Sequence, residues 1–467
     1  MEKDLYIKGK KIKRVGIVGL GKSNIGVIDY ISHRTSNVTF CLRSDKPIDK
    51  SEAMRVTNFA KIEECERVFS DIDEDVLFLS PSVRRDRAEL RCAEGRGVIL
   101  SSDAELFFEK FTADAYAVSG SDGKSTTTKL ISLLLSERYG DAPAIGNIGM
   151  AMSPFVSYDV KAAVCELSSF QLMNFSPPSK RAVITNISPN HLDFHTSFSE
   201  YLLAKESLMK EAEERVFNYD CNFSREMLSR YPAFAVFSVE AREKELLKRI
   251  RAEVYVTLEN GYIIANGEKI LDTGAILAYS EHNVKNFMAA VGVSFGLVSR
   301  AHTEKVAREF QGLKHRDEFI GSYGGVNYFE ASIDSSPKRT ITTLKSHPPL
   351  TLILGGRSKG LDYSELIPSI EEKAKRIILL GENADEILRE VSKSEKISGG
   401  DIPIFRVKNL TEAVKVSAEI TPEGDTVLFS PASTSFDAFK NFEERGELFR
   451  RAVESYYENM TNENKGT

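Results

Sequence analysis

Residues 118–127 (VSGSDGKSTT) bring two glycines, a lysine and several hydroxyl groups into one short stretch between an apolar run and a helix-like run. A glycine-rich turn at a helix N-terminus points backbone N–H groups at phosphate, and the helix dipole favours anions there. Lys124 would neutralise the outer phosphates, and Ser125 or Thr126 would bind Mg²⁺. The stretch therefore predicts a nucleoside triphosphate site. Because Val118 stands where the common P-loop has a glycine, the alternative is a glycine turn with a chance Gly-Lys-Ser.

Two later segments place carboxylate, imidazole and hydroxyl groups where predicted strands end. Glu166 closes one apolar strand, and a carboxylate beside a P-loop is well placed for Mg²⁺. The alternative is an ordinary Glu before a helix-capping Ser. His191 and Asp193 follow the next apolar strand, which suits a metal site or acid–base chemistry as well as a structural role. Lys205 lies in a helical stretch and by composition is a surface lysine, because a cation repels Mg²⁺.

The second half of the chain carries further polar clusters. Asn283 precedes an apolar helix, where it could cap that helix or contact a base. Arg316 is a surface arginine or one that closes onto a phosphate. Segments 355–362 (GGRSKGLD) and 430–437 (SPASTSFD) each follow a predicted strand and combine hydroxyls with a helix start. We expect these two loops to face the same rim of one sheet and to share a site.

The first hundred residues predict a nucleotide-binding fold of Rossmann type. A strand and a glycine turn occupy residues 14–26, an apolar helix-like run follows, and further strands are expected at 38–42 and 76–80. The acidic residue that binds the ribose of NAD is missing, since Arg43-Ser44 follows the second strand. A nucleotide diphosphate other than NAD fits this segment better.

Strands and helices alternate along the rest of the chain, which predicts parallel α/β sheets. Strands are expected at 115–118, 162–165 and 182–187, and then at 350–354, 376–380, 404–407 and 426–430. At about 150 residues per domain, the 467 residues suggest three α/β domains. We assign a Rossmann-like domain to 1–104, a P-loop ATPase-type domain to 105–312 and a second Rossmann-like domain to 313–467.

Composition excludes several classes of protein. Hydrophobic residues make up 42% of the chain and charged residues 28%, which is typical of globular proteins. A net charge of −6 argues against a general nucleic-acid binder. The chain has no apolar run of about 18 residues, the length that spans a membrane. The five cysteines lack metal spacing, so we expect a reducing cytoplasm and no disulfide framework. We also expect a monomer.

Taken together, these residues resemble the Mur ligases, ATP-dependent amino-acid ligases of peptidoglycan synthesis. The short loop 120–126 is similar to the family's GTNGK(S/T)T, and Glu166–Gln171, His191–Asp193 and His315-Arg316 match its later motifs in order. The long string 430–446 (SPASTSFDAFKNFEERG) is the most specific part of the resemblance, which covers the whole chain. The resemblance implies one domain each for UDP, ATP and the incoming amino acid.

The resemblance also implies a reaction. ATP phosphorylates the carboxylate of UDP-N-acetylmuramoyl-L-alanine, the amine of D-glutamate attacks the acyl phosphate, and phosphate leaves. Three alternatives remain: another Mur-type or folylpolyglutamate-type ligase, a nucleotide-binding module without catalysis, and an NAD-dependent dehydrogenase. The string 430–446 disfavours the first of these, and the missing acidic residue disfavours the last.

Individual roles follow from the resemblance position by position. The implied catalytic residues are Lys124, His191 and Lys205. The implied ATP contacts are Gly120, Ser121, Asp122, Gly123, Lys124, Ser125, Thr126, Asn283 and Arg316. Two Mg²⁺ ions are implied, one on Ser125 and Glu166 and one on His191 and Lys205. The matching lysine of the family is carbamoylated, which would turn Lys205 into an anion and remove the charge objection raised above.

Substrate contacts are implied in the same way. The UDP-muramoyl substrate would meet Gly21, Lys22, Ser23, Asn24, Asp103, Asn147, Ser168 and Gln171, and D-glutamate would meet Ser335, Lys359, Ser435 and Phe442. The chain departs from the family pattern at Ser121-Asp122, where Thr-Asn is commoner, and at Ala331 and Ile333, where a carboxylate and a lysine are usual. The implied metal and phosphate ligands are intact, so we expect an active enzyme.

Overall fold

The computed structural model describes residues 4–44, 61–65, 68–189, 194–357, 360–435 and 438–465, with the backbone alone at 61–65 and 461–465. The chain forms two compact units, residues 1–275 with 284–308 and residues 276–283 with 309–467. The first unit holds two parallel α/β sheets and the second unit holds one. The predicted α/β class with three sheet domains is confirmed, while the assigned domain limits stay a prediction.

The N-terminal sheet has five parallel strands in the order β5-β4-β3-β6-β7, preceded by an antiparallel hairpin of β1 and β2. These strands are β1 (Leu5–Ile7), β2 (Lys10–Ile12), β3 (Arg14–Val18), β4 (Thr39–Arg43), β5 (Lys61–Cys65), β6 (Val76–Leu79) and β7 (Ile99–Ser101). The helices are α1 (Lys22–Ser32), α2 (Ala88–Gly95) and α3 (Asp103–Lys110). Because β3 lies between β4 and β6, the glycine turn after β3 lies at the point where the strand order reverses, the usual ligand position in such sheets.

The central sheet has nine strands in the order β16-β15-β14-β13-β12-β11-β8-β10-β9. They are β8 (Asp114–Ser119), β9 (Ala144–Gly146), β10 (Ala162–Glu166), β11 (Ser179–Ile184), β12 (Ala212–Asn218), β13 (Ala235–Ser238), β14 (Val254–Glu259), β15 (Tyr262–Ala265) and β16 (Glu268–Asp272). Its helices are α4 (Lys124–Tyr139), α5 (Ser169–Leu172), α6 (Phe198–Lys210), α7 (Asn222–Met227), α8 (Glu243–Arg249), α9 (Glu281–Ser294) and α10 (Arg300–Glu309). Short 3₁₀ helices occupy Ser153–Ser157 and Thr273–Ala275.

Strand β8 lies between β10 and β11, and all three run parallel. These strands are apolar and almost wholly buried, as expected for a parallel sheet covered on both faces. Their carboxyl ends therefore meet at one edge of the sheet. Strand β11 ends at Ile184, three residues before its predicted end at 187, because the chain there turns onto the loop after β8.

The C-terminal sheet has six strands in the order β17-β18-β22-β19-β20-β21, with only the edge strand β17 antiparallel. They are β17 (Glu318–Tyr323), β18 (Val326–Glu330), β19 (Leu350–Leu354), β20 (Ala374–Leu379), β21 (Ile404–Arg406) and β22 (Thr426–Phe429). The helices are α11 (Pro337–Lys345), α12 (Ile367–Lys373), α13 (Ala384–Val391), α14 (Glu395–Ser398), α15 (Leu410–Ile420) and α16 (Phe442–Lys465), with a 3₁₀ helix at Tyr363–Leu366. The loops after β19 and β22 pair through Arg357 and Thr434, so the predicted shared rim is confirmed.

Two further findings bear on the expectations from composition. Cys41 on β4 is disulfide-bonded, while Cys92, Cys165 and Cys221 are free thiols. Within the described residues, no helix combines the length and the apolar character needed to cross a membrane.

Candidate functional site

The loop between β8 and α4 has the backbone of a phosphate cradle. Gly120 has a φ of +149° and Gly123 a φ of +75°, a region that favours glycine. A Cβ on Gly120 would lie 1.9 Å from Thr185 Oγ1, and one on Gly123 would lie 2.3 Å from Asn286 Oδ1. Both positions therefore need glycine. Helix α4 begins directly after Gly123, and its unpaired N–H groups provide the donors that phosphate binds.

Residues just after β11 brace this loop. The backbone N–H of Ser121 donates to Asn186 O at 2.8 Å, and that of Asp122 donates to Asn186 Oδ1 at 2.9 Å. Thr185 Oγ1 donates to Asp122 O at 2.6 Å. The Asp122 side chain is exposed. The loop thus uses the backbone of Asp122, which explains how an acidic residue is accommodated beside a phosphate cradle.

The polar side chains of the loop lie where the sequence predicts them. Lys124 is half-buried, and its Nζ donates to Ser121 O at 2.8 Å, so the cation lies back across its own loop. Ser125 is buried and Thr126 half-buried in the first turn of α4. Ser121 Oγ lies 2.7 Å from the hydroxyl of Tyr201. The loop is therefore held from both sides before any ligand arrives.

Glu166 is a buried carboxylate with one oxygen uncommitted. The residue has no exposed surface, and its Oε1 accepts from Asn147 Nδ2 at 2.7 Å. Its Oε2 is buried and has no hydrogen-bond partner within the described part of the chain. In the sheet register Glu166 pairs with Val118, two residues before Gly120. Burying this oxygen without a hydrogen-bond partner is unfavourable, and a bound cation would offset that cost.

Lys205 lies under the phosphate loop rather than at the surface. It is 2% exposed, and its Nζ donates to Gly120 O at 2.6 Å and to Ser119 Oγ at 3.5 Å. Its Nζ is 4.8 Å from the centre of the Tyr201 ring. Burial lowers the pKa of the Lys205 amine well below its usual range, and the Lys124 cation lowers it further. The compositional interpretation of Lys205 as a surface lysine was therefore wrong.

These residues fit a Mg²⁺ ion at the loop. Mg²⁺ prefers oxygen ligands and is often held by one or two carboxylates together with substrate phosphates. The open Oε2 of Glu166 and the hydroxyl of Ser125 at the start of α4 offer that chemistry. His191 and Asp193 lie outside the described residues, so the second implied ion stays a prediction.

The glycine turn of the N-terminal sheet is also organised for an anion. Gly21 precedes the first turn of α1, which contains Lys22, Ser23 and Asn24. Asn24 is buried, and its Nδ2 donates to Val18 O at 3.0 Å and to Gly19 O at 2.8 Å. Asn24 therefore shapes the turn from inside, while Lys22 is exposed at the helix start.

Several implied substrate residues are engaged within the protein. Asp103 is buried, and its carboxylate accepts from the N–H groups of Met152 and Ser153, both at 2.8 Å. Ser168 and Gln171 form a capping box at the start of α5, with Ser168 N donating to Gln171 Oε1 at 2.9 Å. In the absence of ligand, these groups join or cap elements; their substrate contacts stay a prediction.

In the second unit, Arg445 connects two segments, the one after β18 and the loop after β22, which together form the two walls of a loop cluster. This arginine of α16 is 1% exposed. Its Nε donates to Ser332 Oγ at 2.9 Å, and its Nη2 donates to Ser332 O at 2.8 Å and Ser433 O at 3.0 Å. The segment after β18 is thereby fixed to the loop after β22, which also carries the buried Ser435.

The other predicted positions of the second unit differ in what the structure shows for them. Ser335 is half-buried just after the segment that Arg445 holds, and Phe442 begins α16. The rings of Phe442 and His315, the neighbour of Arg316, have centroids 6.3 Å apart. Asn283 Nδ2 donates to Ala278 O at 2.8 Å, which favours a local capping role. Lys359 lies outside the described residues.

Asp334 also orders the loop after β22. It is 5% exposed, and its Oδ2 accepts from Ser430 Oγ at 2.8 Å and from Thr343 Oγ1 at 2.7 Å. Burial raises the pKa of the Asp334 carboxyl to about 6, an effect that these two hydrogen bonds oppose. Ser430 opens the loop, so Asp334 sets where that loop leaves the sheet.

Sequence reasoning missed Thr185, Asn186, Tyr201 and Arg445. Asn186 and Arg445 lie inside segments that were singled out, but the side chains that shape a loop from a distant part of the chain leave no local pattern. The available signal for Thr185 and Asn186 was that two polar residues interrupt the apolar run 182–187, because polar residues at the end of a buried strand often face the neighbouring strand end.

Comparison with known proteins agrees with this arrangement. A family model described as the Mur ligase middle domain matches residues 118–294, and one described as Mur ligase, glutamate ligase domain, matches residues 315–433. The chain is 37% identical over 464 residues to the UDP-N-acetylmuramoylalanine--D-glutamate ligase of Acetivibrio thermocellus, covering 96% of this chain and 98% of the relative. It is 35% identical to the enzyme of the same name from Ruminiclostridium cellulolyticum, with the same coverage.

Solved structures share the fold. UDP-N-acetylmuramate-alanine ligase from Thermotoga maritima has a TM-score of 0.55 at 17% identity and covers 95% of this chain and 100% of its own. A structure of UDP-N-acetylmuramoyl-L-alanyl-D-glutamate--2,6-diaminopimelate ligase has a TM-score of 0.54 at 17% identity, covering 91% and 94%. The two family models and the curated relatives define the chain as an ATP-dependent ligase. More particularly, the chain belongs to the Mur ligase family, whose members build peptidoglycan precursors.

A first prediction concerns Gly120. The variant Gly120→Ala should lose ATP binding and roughly 1–3 kcal/mol of stability, because a Cβ would meet Thr185 at a strained φ. Gly140→Ala is the matched control: Gly140 also has a positive φ, +78°, but its Cβ would meet no atom within 4 Å. Isothermal titration with ATP and thermal unfolding measure both effects. Wild-type ATP affinity in Gly120→Ala would contradict the assigned fit.

A second prediction concerns pH. Asp334 has a pKa of about 6 in the folded chain against an ordinary value of 3.8, so the folded state binds its proton more tightly. The contribution of Asp334 to unfolding free energy therefore falls as pH rises from about 4 to about 6 and is constant above. Asp334→Asn should remove this fall, which is worth roughly 3 kcal/mol at about 1.36 kcal/mol per pKa unit.

Urea unfolding at pH 4 and pH 7 measures the difference between variant and wild type. The exposed Asp362 is a control of opposite sign, because hydrogen bonds from the Ser364 side chain and N–H lower its pKa. Asp362→Asn should lose stability relative to wild type as pH rises. An Asp334→Asn variant with the same pH dependence as wild type would show that Asp334 does not carry the effect.

Proposed function

We propose that the protein joins D-glutamate to UDP-N-acetylmuramoyl-L-alanine with hydrolysis of ATP to ADP and phosphate, in the cytoplasm and as a monomer. The observation that carries the proposal is the open, buried Oε2 of Glu166 one strand away from the phosphate loop. Oε1 of that carboxylate accepts from Asn147, and Oε2 is available to a metal-bound triphosphate. The names of the relatives and of the matching glutamate ligase domain support the choice of amino acid.

The first chemical step needs charge to be neutralised. A substrate carboxylate and a triphosphate are both anionic, so their approach depends on cations placed between them. One Mg²⁺ held by Ser125 and Glu166 would supply such charge, and a second is proposed on His191 and Lys205. Lys124 swings from Ser121 O onto the outer phosphates, and the N–H groups of loop 120–126 and α4 hold the remaining oxygens.

Attack and release then follow from placement. The carboxylate oxygen attacks the γ-phosphorus and expels ADP; the amine attacks the acyl carbon of the acyl phosphate and phosphate leaves. Orientation by fixed binding sites supplies part of the rate, since a well-placed reactant pair gains roughly 7–11 kcal/mol at best. The UDP-muramoyl substrate is proposed to lie along Gly21–Asn24, the segment at Asp103, and Asn147, Ser168 and Gln171.

The D-glutamate site is proposed on the loop cluster of the second unit. Ser335, Lys359, Ser435 and Phe442 would line it, with cation and hydroxyl groups suited to a side-chain carboxylate. Arg445 and Asp334 hold the two walls in place through the hydrogen bonds described above. ATP would also meet Asn283 and Arg316.

We further propose that Lys205 is carbamoylated. Its lowered pKa leaves a larger fraction of the amine uncharged than is usual for lysine, and the uncharged amine adds to CO₂ and loses a proton to give a carbamate. This change converts a cation under the loop into an anion that could bind Mg²⁺. It reconciles the burial of Lys205 beside Glu166 with a metal site.

The decisive experiment measures phosphate release from ATP and Mg²⁺ with UDP-N-acetylmuramoyl-L-alanine and a panel of amino acids. We expect release with D-glutamate and little with L-glutamate, D-aspartate or D-alanine. Lys124→Ala is the inactive control. Release with a different amino acid would overturn the substrate, and no release with any would favour a nucleotide-binding module.

A separate prediction tests the carbamate. Lys205→Ala should lower kcat by roughly two orders of magnitude or more, and added formate or acetate should restore part of the rate because a short carboxylate replaces the missing anion. Lys210→Ala, at the exposed end of the same helix, is the control and should keep wild-type activity. Failure of both carboxylates to rescue Lys205→Ala would count against a carbamate.

A further inference from the structure

Arg84 joins the N-terminal domain to the start of the helix that carries Lys205. Its Nη2 donates to Glu200 Oε1 at 2.8 Å and its Nη1 to Glu200 Oε2 at 3.1 Å. The same Nη1 donates to Phe194 O at 3.0 Å, while Nε and Nη2 reach Asp86 at 3.2 and 2.7 Å. One side chain thus grips both the first turn of α6 and the segment before it.

The position of Arg84 places it next to the glycine turn of its own domain. It lies in the loop that follows β6, whose carboxyl end is adjacent to that of β3. Ser80 starts this loop and donates from Oγ to Val18 O at 2.9 Å, and a Cβ on Gly19 would lie 2.5 Å from Ser80 Oγ. The glycine turn is thus packed against the start of the loop that carries Arg84.

Glu200 organises the other side of the contact. It is the third residue of α6, and its N–H donates to Ser197 Oγ at 3.1 Å, while its Oε2 accepts from Thr196 N at 2.7 Å. The hydrogen bonds from Arg84 lower the pKa of Glu200 to about 2. Glu200 is thus an anion throughout the physiological range and closes the N-terminus of α6.

The segment that Arg84 contacts is connected to the proposed metal site in two ways. Lys205 lies one and a half turns further along α6, since five residues separate it from Glu200. His195, next to Phe194, has Nε2 2.9 Å from Ser169 Oγ at the start of α5. A shift of the start of α6 would therefore move two groups at once. These are the Lys205 side chain, which lies under the phosphate loop, and the His195 side chain, which contacts the start of α5.

We propose that Arg84 is a positioning residue that couples occupancy of the UDP-substrate pocket to the placement of Lys205 and its metal site. The proposal rests on the proposed function of that pocket and of Lys205. Arg84 itself touches no reacting atom. Its side chain is 22% exposed and that of Glu200 is 26% exposed, so salt weakens the contact and it can release and re-form during turnover.

Hydrogen exchange tests the coupling without relying on activity. In Arg84→Ala, amides of residues 194–200 should exchange roughly tenfold faster, because the Phe194 carbonyl and Glu200 lose their anchor. In wild type, UDP-N-acetylmuramoyl-L-alanine should slow exchange in this segment; in Arg84→Ala it should bind without this effect. Arg84→Lys, which keeps the charge but loses the paired bonds, should give an intermediate result.

Kinetics supply the second arm. Arg84→Ala should lower kcat by roughly ten- to a hundredfold and raise the Mg²⁺ concentration for half-maximal rate, with a smaller change in KM for the UDP substrate. Glu200→Gln should act in the same direction, and the double variant should lose little more than either alone. The control is Arg87→Ala from the same loop, since Arg87 lies over the Phe69 ring, 4.7 Å from its centroid, and not against α6.

The outcomes separate this proposal from the proposed function. Wild-type exchange and Mg²⁺ dependence in Arg84→Ala would overturn the coupling even if the enzyme is fully active. Absence of turnover in wild type would overturn the reaction, while the exchange measurement would still decide the coupling. Equal losses in Arg84→Ala and Arg87→Ala would also overturn it, because the effect would then belong to the loop in general.

Discussion

The site depends on one constraint: the carboxyl ends of three parallel strands lie next to each other at one edge of the central sheet. Strands β10, β8 and β11 lie side by side, so Glu166, the phosphate loop and Thr185 leave the sheet at neighbouring positions. The fit is tight enough that Gly120 has no room for a Cβ beside Thr185, and its carbonyl accepts from Lys205 beneath. Packing therefore holds the loop in one conformation, so that a ligand loses little binding free energy to ordering it.

Preorganisation of this kind has a cost in the unliganded protein. Glu166 keeps a buried oxygen open, and Lys205 keeps an amine buried where its charged form is disfavoured. Both groups would destabilise the fold in isolation, since burying a polar or charged group without compensation is unfavourable. Arg445 shows the opposite arrangement in the second unit, where a buried cation donates to three oxygen atoms and fixes two loops. Glu166 and Lys205 both lie beside the phosphate loop, where a bound cation and triphosphate would compensate them.

Much of this could be predicted from sequence because the signals are local. A glycine turn before a helix, apolar strands and hydroxyl-rich strand ends are short patterns, and they gave the P-loop and the shared rim of the C-terminal loops. Resemblance to a family predicts which sequence positions have a role, but not the direction in which their side chains point. Asp103, Ser168 and Gln171 thus turn out to bind backbone or cap a helix. The positions of Lys205 and Arg445 depend on contacts between distant segments, which composition does not encode.

Two of the contacts that link the N-terminal sheet to the central one differ in physical kind. Asp103 is buried and bonded to two backbone N–H groups, so breaking it would leave unsatisfied groups inside the protein. Arg84 and Glu200 are partly exposed, and water can replace each of their bonds at small cost. The first contact therefore fixes the two sheets to each other, while the second is adjustable at the place where a substrate and the Lys205 helix both bear on it. A ligase that brings separate substrates into one geometry needs both kinds of contact. The buried contact at Asp103 holds the two sheets in place, and the partly exposed contact of Arg84 with Glu200 can change when a substrate binds.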